Sequence, residues 1–349
     1  MKTIQLHSFG PAENLRYEEA PDPIPGPGMV LIQVEAAGVH LLDTFLREGN
    51  FEGTAFSAPE LPTIPGREIA GVVREVGPEV DGGWVGKRVV VHLGMVPGGY
   101  AELAVAKVES LYELPDHVDG VQAVAAIGTG RTTAGILAQA ALSSDDVVLV
   151  TSAAGGIGAY LIQAARNVGA TVIGVAGGPA KVQLVRDLGA HYVADYRDPE
   201  WVSALRADLA AGHEPTGHKP AGHEPTGSAA AAPDNPHRPV TVMLDGVAGE
   251  SGRRALELIA DGGRVLTFGW SGGEPLPEDS PELSSRGVSV TAALGDIRSR
   301  LREFEKAALD ETVEGRWRAL STTFPLSEAS SAHRALEERR TVGKVVLLP

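Results

Sequence analysis

The chain reads as an α/β protein of two domains, a mostly antiparallel β-domain and a domain built on a doubly wound parallel sheet. Three observations predict this. Residues 1 to 122 hold short β-like runs punctuated by glycine and proline, strands and helices alternate from Val121 onward, and Val147 to Ala176 runs strand, glycine-rich turn, helix, strand. A length of 349 residues suits two domains, and 43% hydrophobic content suffices for two cores.

The β-domain is predicted from the runs Met29 to Ala36, Ile69 to Val76, Arg88 to His92 and Tyr100 to Ala106, separated by stretches such as PDPIPGPG at 21–28 and MVPGG at 95–99. Val121 to Leu142 is alanine-rich with helical periodicity, broken by Gly128-Thr129-Gly130. The parallel sheet is then predicted from strands at Val147 to Thr151, Ala170 to Val175, Tyr192 to Asp195, Val240 to Asp245 and Arg264 to Phe268. Helices over Ala180 to Leu188, Trp201 to Leu209 and Ser251 to Ala260 alternate with them. Val288 to Leu294 is a further apolar run suited to the sheet's edge.

Residues 211–239 interrupt the alternation. AGHEPTG occurs twice there, ten residues apart, with no apolar face, so the segment reads as a flexible surface insertion and His213, His218 and His223 as solvated side chains rather than metal ligands. The tail from Ile297 to Pro349 starts with an amphipathic helix, IRSRLREFEKAALDE, continues with a helix over Ser327 to Arg340, and ends in the apolar run Lys344 to Leu348. That last strand is expected to return to the N-terminal domain, giving domains at 1–122 with 297–349 and at 123–296.

The turn after Val147 to Thr151 carries the first chemical signal. Ala153, Gly155 and Gly158, with Gly156 and Ile157 between, fit G-x-G-x-x-G with alanine first, in the strand–turn–helix setting the motif requires. Gly155 would admit a pyrophosphate close to the backbone and Gly158 would let helix and strand approach, so the turn predicts a bound dinucleotide. A net charge of −15 argues against nucleic acid as a partner. The absence of cysteine excludes disulfides, thiolate metal sites and a cysteine nucleophile. No apolar leader or membrane-length run is present, which predicts a cytoplasmic protein.

Several separated stretches resemble one family: GVHLLDT at 38–44, PGREIAGVV at 65–73, GGYAE at 98–102, the Ala153–Gly158 turn and TVGKVVL at 341–347. They resemble the medium-chain dehydrogenase/reductase superfamily over almost the whole chain, and within it the zinc-independent NADPH:quinone oxidoreductases, the ζ-crystallin-like branch. The resemblance implies a GroES-like catalytic domain, a Rossmann domain and a homodimer, which Val288 to Leu294 could join edge to edge. The places where zinc alcohol dehydrogenases hold catalytic zinc are His40, Arg67 and Thr129 here. Guanidinium cannot ligate and a threonine hydroxyl ligates poorly, so no metal is expected. Without a Lewis acid, the favoured acceptors are electron-poor ones, a quinone or another α,β-unsaturated carbonyl compound, whose reduction gives a delocalised oxyanion. A biosynthetic enoyl thioester reductase and a non-catalytic NADPH-binding or redox-sensing protein are the alternatives.

The second strand ends in Gly177-Gly178 with no carboxylate in the stretch Val175 to Lys181, which favours NADPH, and Lys181 is placed to meet its 2′-phosphate. The resemblance adds Tyr196 and Arg339 or Arg340 to the cofactor set. It also places His40, Asp43, Phe45, Phe51, Arg67 and Thr133 around the acceptor. His40 would either donate to the developing oxyanion or be satisfied within the fold. Asp43 is expected to cap a helix starting at Leu42 or Asp43, and Arg67 to neutralise a buried carboxylate or, less favoured, to anchor an anionic group. Arg67 and Glu68 are adjacent on a strand, so they need not pair with each other.

Overall fold

The computed structural model describes residues 1–52, 57–94, 98–211, 239–293 and 297–349. Apart from Ala211, the two AGHEPTG copies lie outside the described residues, as do His213, His218, His223 and Leu294. Two compact units account for the chain, Met1–Gly130 with Ala308–Pro349, and Arg131–Ala307. These divisions fall 8 and 11 residues beyond the boundaries expected from sequence, 130 against 122 and 307 against 296. The first lies where the alanine-rich helix widens into a π-turn, Ala126–Gly130, between Gly120–Ala125 and Arg131–Ala140. The second lies inside the helix Leu301–Val313.

In the first unit a seven-stranded sheet is organised around the long strand Met29–Val39. It pairs antiparallel with Glu68–Val76, Leu103–Lys107 and the C-terminal strand Lys344–Leu348, and Glu68–Val76 pairs antiparallel with Arg88–His92. The tail does return to this unit, with Val345 opposite Val39 and Val346 opposite Gly38. One pair departs from the antiparallel expectation: Ser321–Pro325 lies parallel to Lys344–Leu348. Ile4, Ile32, Ile69, Val91, Tyr100 and Leu347 form part of the core.

The second unit holds six parallel strands in the order Tyr192–Asp195, Thr171–Ala176, Val147–Val150, Val240–Asp245, Ile259–Thr267 and Ser289–Ala292. The order reverses between Val147–Val150 and Val240–Asp245, the place where doubly wound sheets bind ligands. Alternate residues feed two cores: Val147, Leu149, Ile173 and Met243 on one face, Val148, Val150, Val172 and Val242 on the other. Burial on both faces explains why these strands are continuous apolar runs. One element differs from expectation. The helix from Gly249 ends at Ala255, a 3₁₀ turn covers Leu256–Leu258, and the strand begins at Ile259 rather than Arg264. Ile259 is paired with Val240 across a register shift, so sheet pairing overrides the helical spacing of LELIA.

Candidate active site and dinucleotide turn

In the first unit, Met29–Val39 runs into His40, which caps the helix Leu41–Arg47. The helix starts one or two residues earlier than expected. Asp43 sits at its third position and accepts the backbone N–H of His40 at 2.8 Å, so it does fasten the helix start, but from inside the first turn. Its Oδ1 accepts from Arg67 Nη2 at 2.9 Å, and the Tyr100 hydroxyl donates to Oδ2, the oxygen that holds His40, at 3.3 Å. Burial would raise the Asp43 carboxyl, but Arg67 and His40 hold it below the usual range. Arg67 therefore neutralises a buried carboxylate, the favoured alternative.

A second ion cluster lies beside the first. Glu68 is 0% exposed, and its Oε1 stands 2.5 Å from His40 Nε2 while its Oε2 accepts from Lys344 Nζ at 2.8 Å. Lys344 Nζ is also 2.7 Å from His40 Nε2, and His92 Nε2 is 3.9 Å from Glu68 Oε1. Burial opposes the charge on Glu68, yet His40 and Lys344 hold its carboxyl well below the usual range. Two glycines make the space. A Cβ on Gly38 would stand 2.6 Å from Glu68 Oε2, and one on Gly128 would stand 2.0 Å from Oε1. Gly128 belongs to the π-turn, which also carries Thr129, so the break in the alanine-rich helix is where the Glu68 carboxylate is received.

The remaining pocket candidates are less concentrated. Phe45 is 46% exposed on the helix Leu41–Arg47, and Phe51 packs edge-on against Phe9. Thr133 belongs to the second unit and is buried inside Arg131–Ala140.

In the second unit the glycine turn has the expected form. Ser152 takes φ +50°, Ala153 is buried and donates to the Val175 carbonyl at 3.0 Å, and Gly155 caps the helix Gly156–Asn167, whose first residues are Gly156 and Ile157. A Cβ on Gly158 would lie 2.3 Å from the Ser152 carbonyl oxygen, the close helix–strand approach the motif needs. The first N–H groups of that helix are available to a phosphate. At the end of the next strand, a Cβ on Gly177 would meet the Tyr196 hydroxyl at 2.5 Å. Gly178, at φ +89°, caps Pro179–Asp187, whose first turn carries Lys181. A carboxylate does stand at this end, contributed by the neighbouring strand: Asp195 Oδ1 accepts from the backbone of Gly178 at 2.9 Å and of Arg197 at 3.0 Å. The Gly178 amide ties the ends of the two strands together, and the Arg197 amide closes the turn after Asp195. Arg339 and Arg340 belong to the first unit, where Arg340 Nε donates to Glu338 at 2.5 Å.

Comparison with known proteins agrees with this layout. Residues 26–116 match the family model of the alcohol dehydrogenase GroES-like domain, and residues 156–313 that of the zinc-binding dehydrogenase. A quinone oxidoreductase of Pseudomonas aeruginosa is 31% identical over 355 residues, covering 100% of this chain and 99% of the relative. The chain belongs to the quinone oxidoreductase family. This family lies within the medium-chain dehydrogenase/reductase superfamily, and a 2-haloacrylate reductase of a Burkholderia species is 30% identical over 99% of this chain and 98% of that protein. The structure of Escherichia coli quinone oxidoreductase complexed with NADPH aligns over 100% of both chains with a TM-score of 0.79 at 26% identity.

For a quinone oxidoreductase sequence, the local turn was readable and the ion clusters were less so. Glu68, Lys344, Tyr100 and Asp195 were not singled out as site residues. Two of the four carry a signal: Glu68 opens the apolar run Ile69 to Val73, and Lys344 opens a terminal strand expected to pair back into the first unit.

Proposed function

We propose that the protein is a zinc-independent NADPH-dependent oxidoreductase that reduces a quinone or another α,β-unsaturated carbonyl compound. The observation that carries this reading is the donor set at His40, Arg67 and Thr129. Arg67 is a permanent cation bound to Asp43, and a second cation, Lys344, lies within 2.8 Å of both Glu68 and His40 Nε2. Of these three side chains only the His40 imidazole is a natural zinc ligand, its Nε2 already lies 2.5 Å from Glu68 Oε1, and Glu68 is itself bound by Lys344. A divalent metal would therefore face two fixed positive charges, and the three residues do not fit zinc. The 2-haloacrylate reductase among the relatives supports a conjugated acceptor.

NADPH fits the second unit. The Ala153–Gly158 turn offers backbone N–H groups to the pyrophosphate, and Lys181 with Tyr196 stands at the end of the second strand for the 2′-phosphate. Arg339 and Arg340 remain assigned to the cofactor by family resemblance. When bound, NADPH supplies the hydride. In the first unit His40 is the group assigned to the developing oxyanion, Asp43 and Arg67 hold its helix in place, and Phe45 and Phe51 contribute apolar surface for the acceptor. Thr133 is assigned to the nicotinamide amide or the acceptor. Support for a homodimer comes from Ser289–Ala292, an edge strand paired, among the described residues, with Ile259–Thr267 alone.

The test is a comparison of NADPH and NADH, with and without 1,10-phenanthroline, alongside metal analysis. The reading expects at least about tenfold higher kcat/KM with NADPH and activity unchanged by the chelator. Stoichiometric zinc whose removal abolishes activity would overturn it.

A further inference from the structure

Three side chains from three distant parts of the sequence meet at one point: His40, Glu68 and Lys344. Lys344 and Glu68 are almost fully buried, with side-chain exposures of 3% and 1%, while the His40 side chain is 31% exposed. Burying a carboxylate and an ammonium is costly unless the pair is tightly held, and here Gly38 and Gly128 both lack the Cβ that would displace Glu68. Such an arrangement is more than capping the helix Leu41–Arg47 requires, because Asp43 already does that.

We propose that Glu68 and Lys344 are positioning residues for His40, together making its ring the proton donor to the reduced acceptor. The proposal rests on the reductase reading above. Glu68 Oε1 and Lys344 Nζ stand 2.5 and 2.7 Å from His40 Nε2. The carboxylate can only accept and the ammonium can only donate. Because Lys344 gives a proton to Glu68 Oε2 at 2.8 Å, the proton between Nε2 and Oε1 is assigned to the ring, which leaves Nδ1 as the exchangeable nitrogen. In the imidazolium form Nδ1–H is then the donor. Lys344 holds Glu68 in place through Oε2.

The step balances. Hydride from NADPH forms a C–H bond on the acceptor and leaves NADP⁺ and an oxyanion or enolate. The His40 Nδ1–H bond breaks as that anion takes the proton, and the neutral ring regains a proton from water at its exposed edge. Among the described residues, the charged and titratable groups around the ring include Glu68 on Glu68–Val76, Lys344 on the terminal strand, His92 on Arg88–His92, and Asp43 with its partner Arg67 on the helix side.

The experiment uses the full chain with NADPH. Histidine-selective ¹⁵N labelling and long-range ¹H–¹⁵N spectra, with His40 assigned by its loss in His40→Asn, report which ring nitrogen is protonated. Steady-state rates with 2-cyclohexenone and 1,4-benzoquinone are measured across pH for wild type, Glu68→Gln, Lys344→Met and Lys344→Arg. The expected result is an Nε2-protonated ring in wild type that is lost in Glu68→Gln. The kcat of that variant should fall about 100-fold, while NADPH binding by fluorescence titration stays within about twofold. Lys344→Met should lose the Nε2-protonated state and lower kcat as Glu68→Gln does, and Lys344→Arg should restore both. The proposal is overturned if folded, NADPH-binding variants keep the wild-type ring-nitrogen state and kcat. Should Glu68→Gln fail to fold, the changed or unchanged ring-nitrogen state and kcat of Lys344→Met decide. A wild type that reduces neither acceptor defeats the reductase reading alone, and the ring-nitrogen state still decides the positioning role.

Discussion

At the scale of single residues, the first unit is organised by charges that have left water. Asp43 and Arg67 are 6% and 9% exposed and meet at 2.9 Å. Replacing Asp43 with Ala removes the carboxylate that meets the buried Arg67 guanidinium and should cost about 3 kcal/mol, read as a lowered urea midpoint. His333 presents the opposite case. It is fully buried, its Nε2 lies 3.3 Å from the Tyr100 hydroxyl, and its Nδ1 has no hydrogen-bond partner among the described residues. Burial, reinforced by Arg47 and opposed by Asp43, lowers its pKa to about 4. An unfolded chain takes up this proton near 6.5, so the unfolded state binds more protons between those values and stability must fall as pH drops from about 6.5 toward 4. The slope is about 1.4 kcal/mol per pH unit from this residue. His191, also lowered to about 4 by burial and by Arg166, acts in the same direction. Urea midpoints for wild type should therefore decline over this window, and His333→Gln should decline less steeply; equal slopes would show that His333 is protonated in the folded state.

At the scale of elements, the glycine turn is the part the sequence specified most directly. A strand, A-x-G-x-x-G and a helix are all local, and Gly158 is needed because its Cα approaches the preceding loop. Gly158→Ala would put a methyl 2.3 Å from the Ser152 carbonyl, so it should weaken NADPH binding by tenfold or more. Fluorescence titration would measure this, and an unchanged Kd would refute the role. The Glu68 cluster could not be read in the same way. His40, Glu68 and Lys344 are separated by up to 304 positions and meet because the last strand pairs with Met29–Val39. The sequence supported that placement of the tail, but spacing carries no information about which side chains then touch. Likewise, Ile259–Ala260 had helical spacing, and pairing with Val240 decided for a strand.

At the scale of the molecule, two units with separate cores divide the tasks: the parallel sheet carries the dinucleotide turn, and the antiparallel sheet holds the buried ion clusters. Sedimentation should give about twice the chain mass, with the edge strand Ser289–Ala292 as the joining element; a charged substitution at Val290 should then yield monomers. The two-unit order was legible because each unit has its own pattern, alternating strands and helices in one and turn-punctuated strands in the other. The central claim is hydride transfer from NADPH to a conjugated carbonyl acceptor without a metal. Its most direct test is the rate of NADPH oxidation by metal-free protein against quinones, enones and enoyl thioesters. Saturable acceleration by a quinone or an enone is the predicted result, whereas tight NADPH binding with no acceptor raising the rate above background would contradict the account.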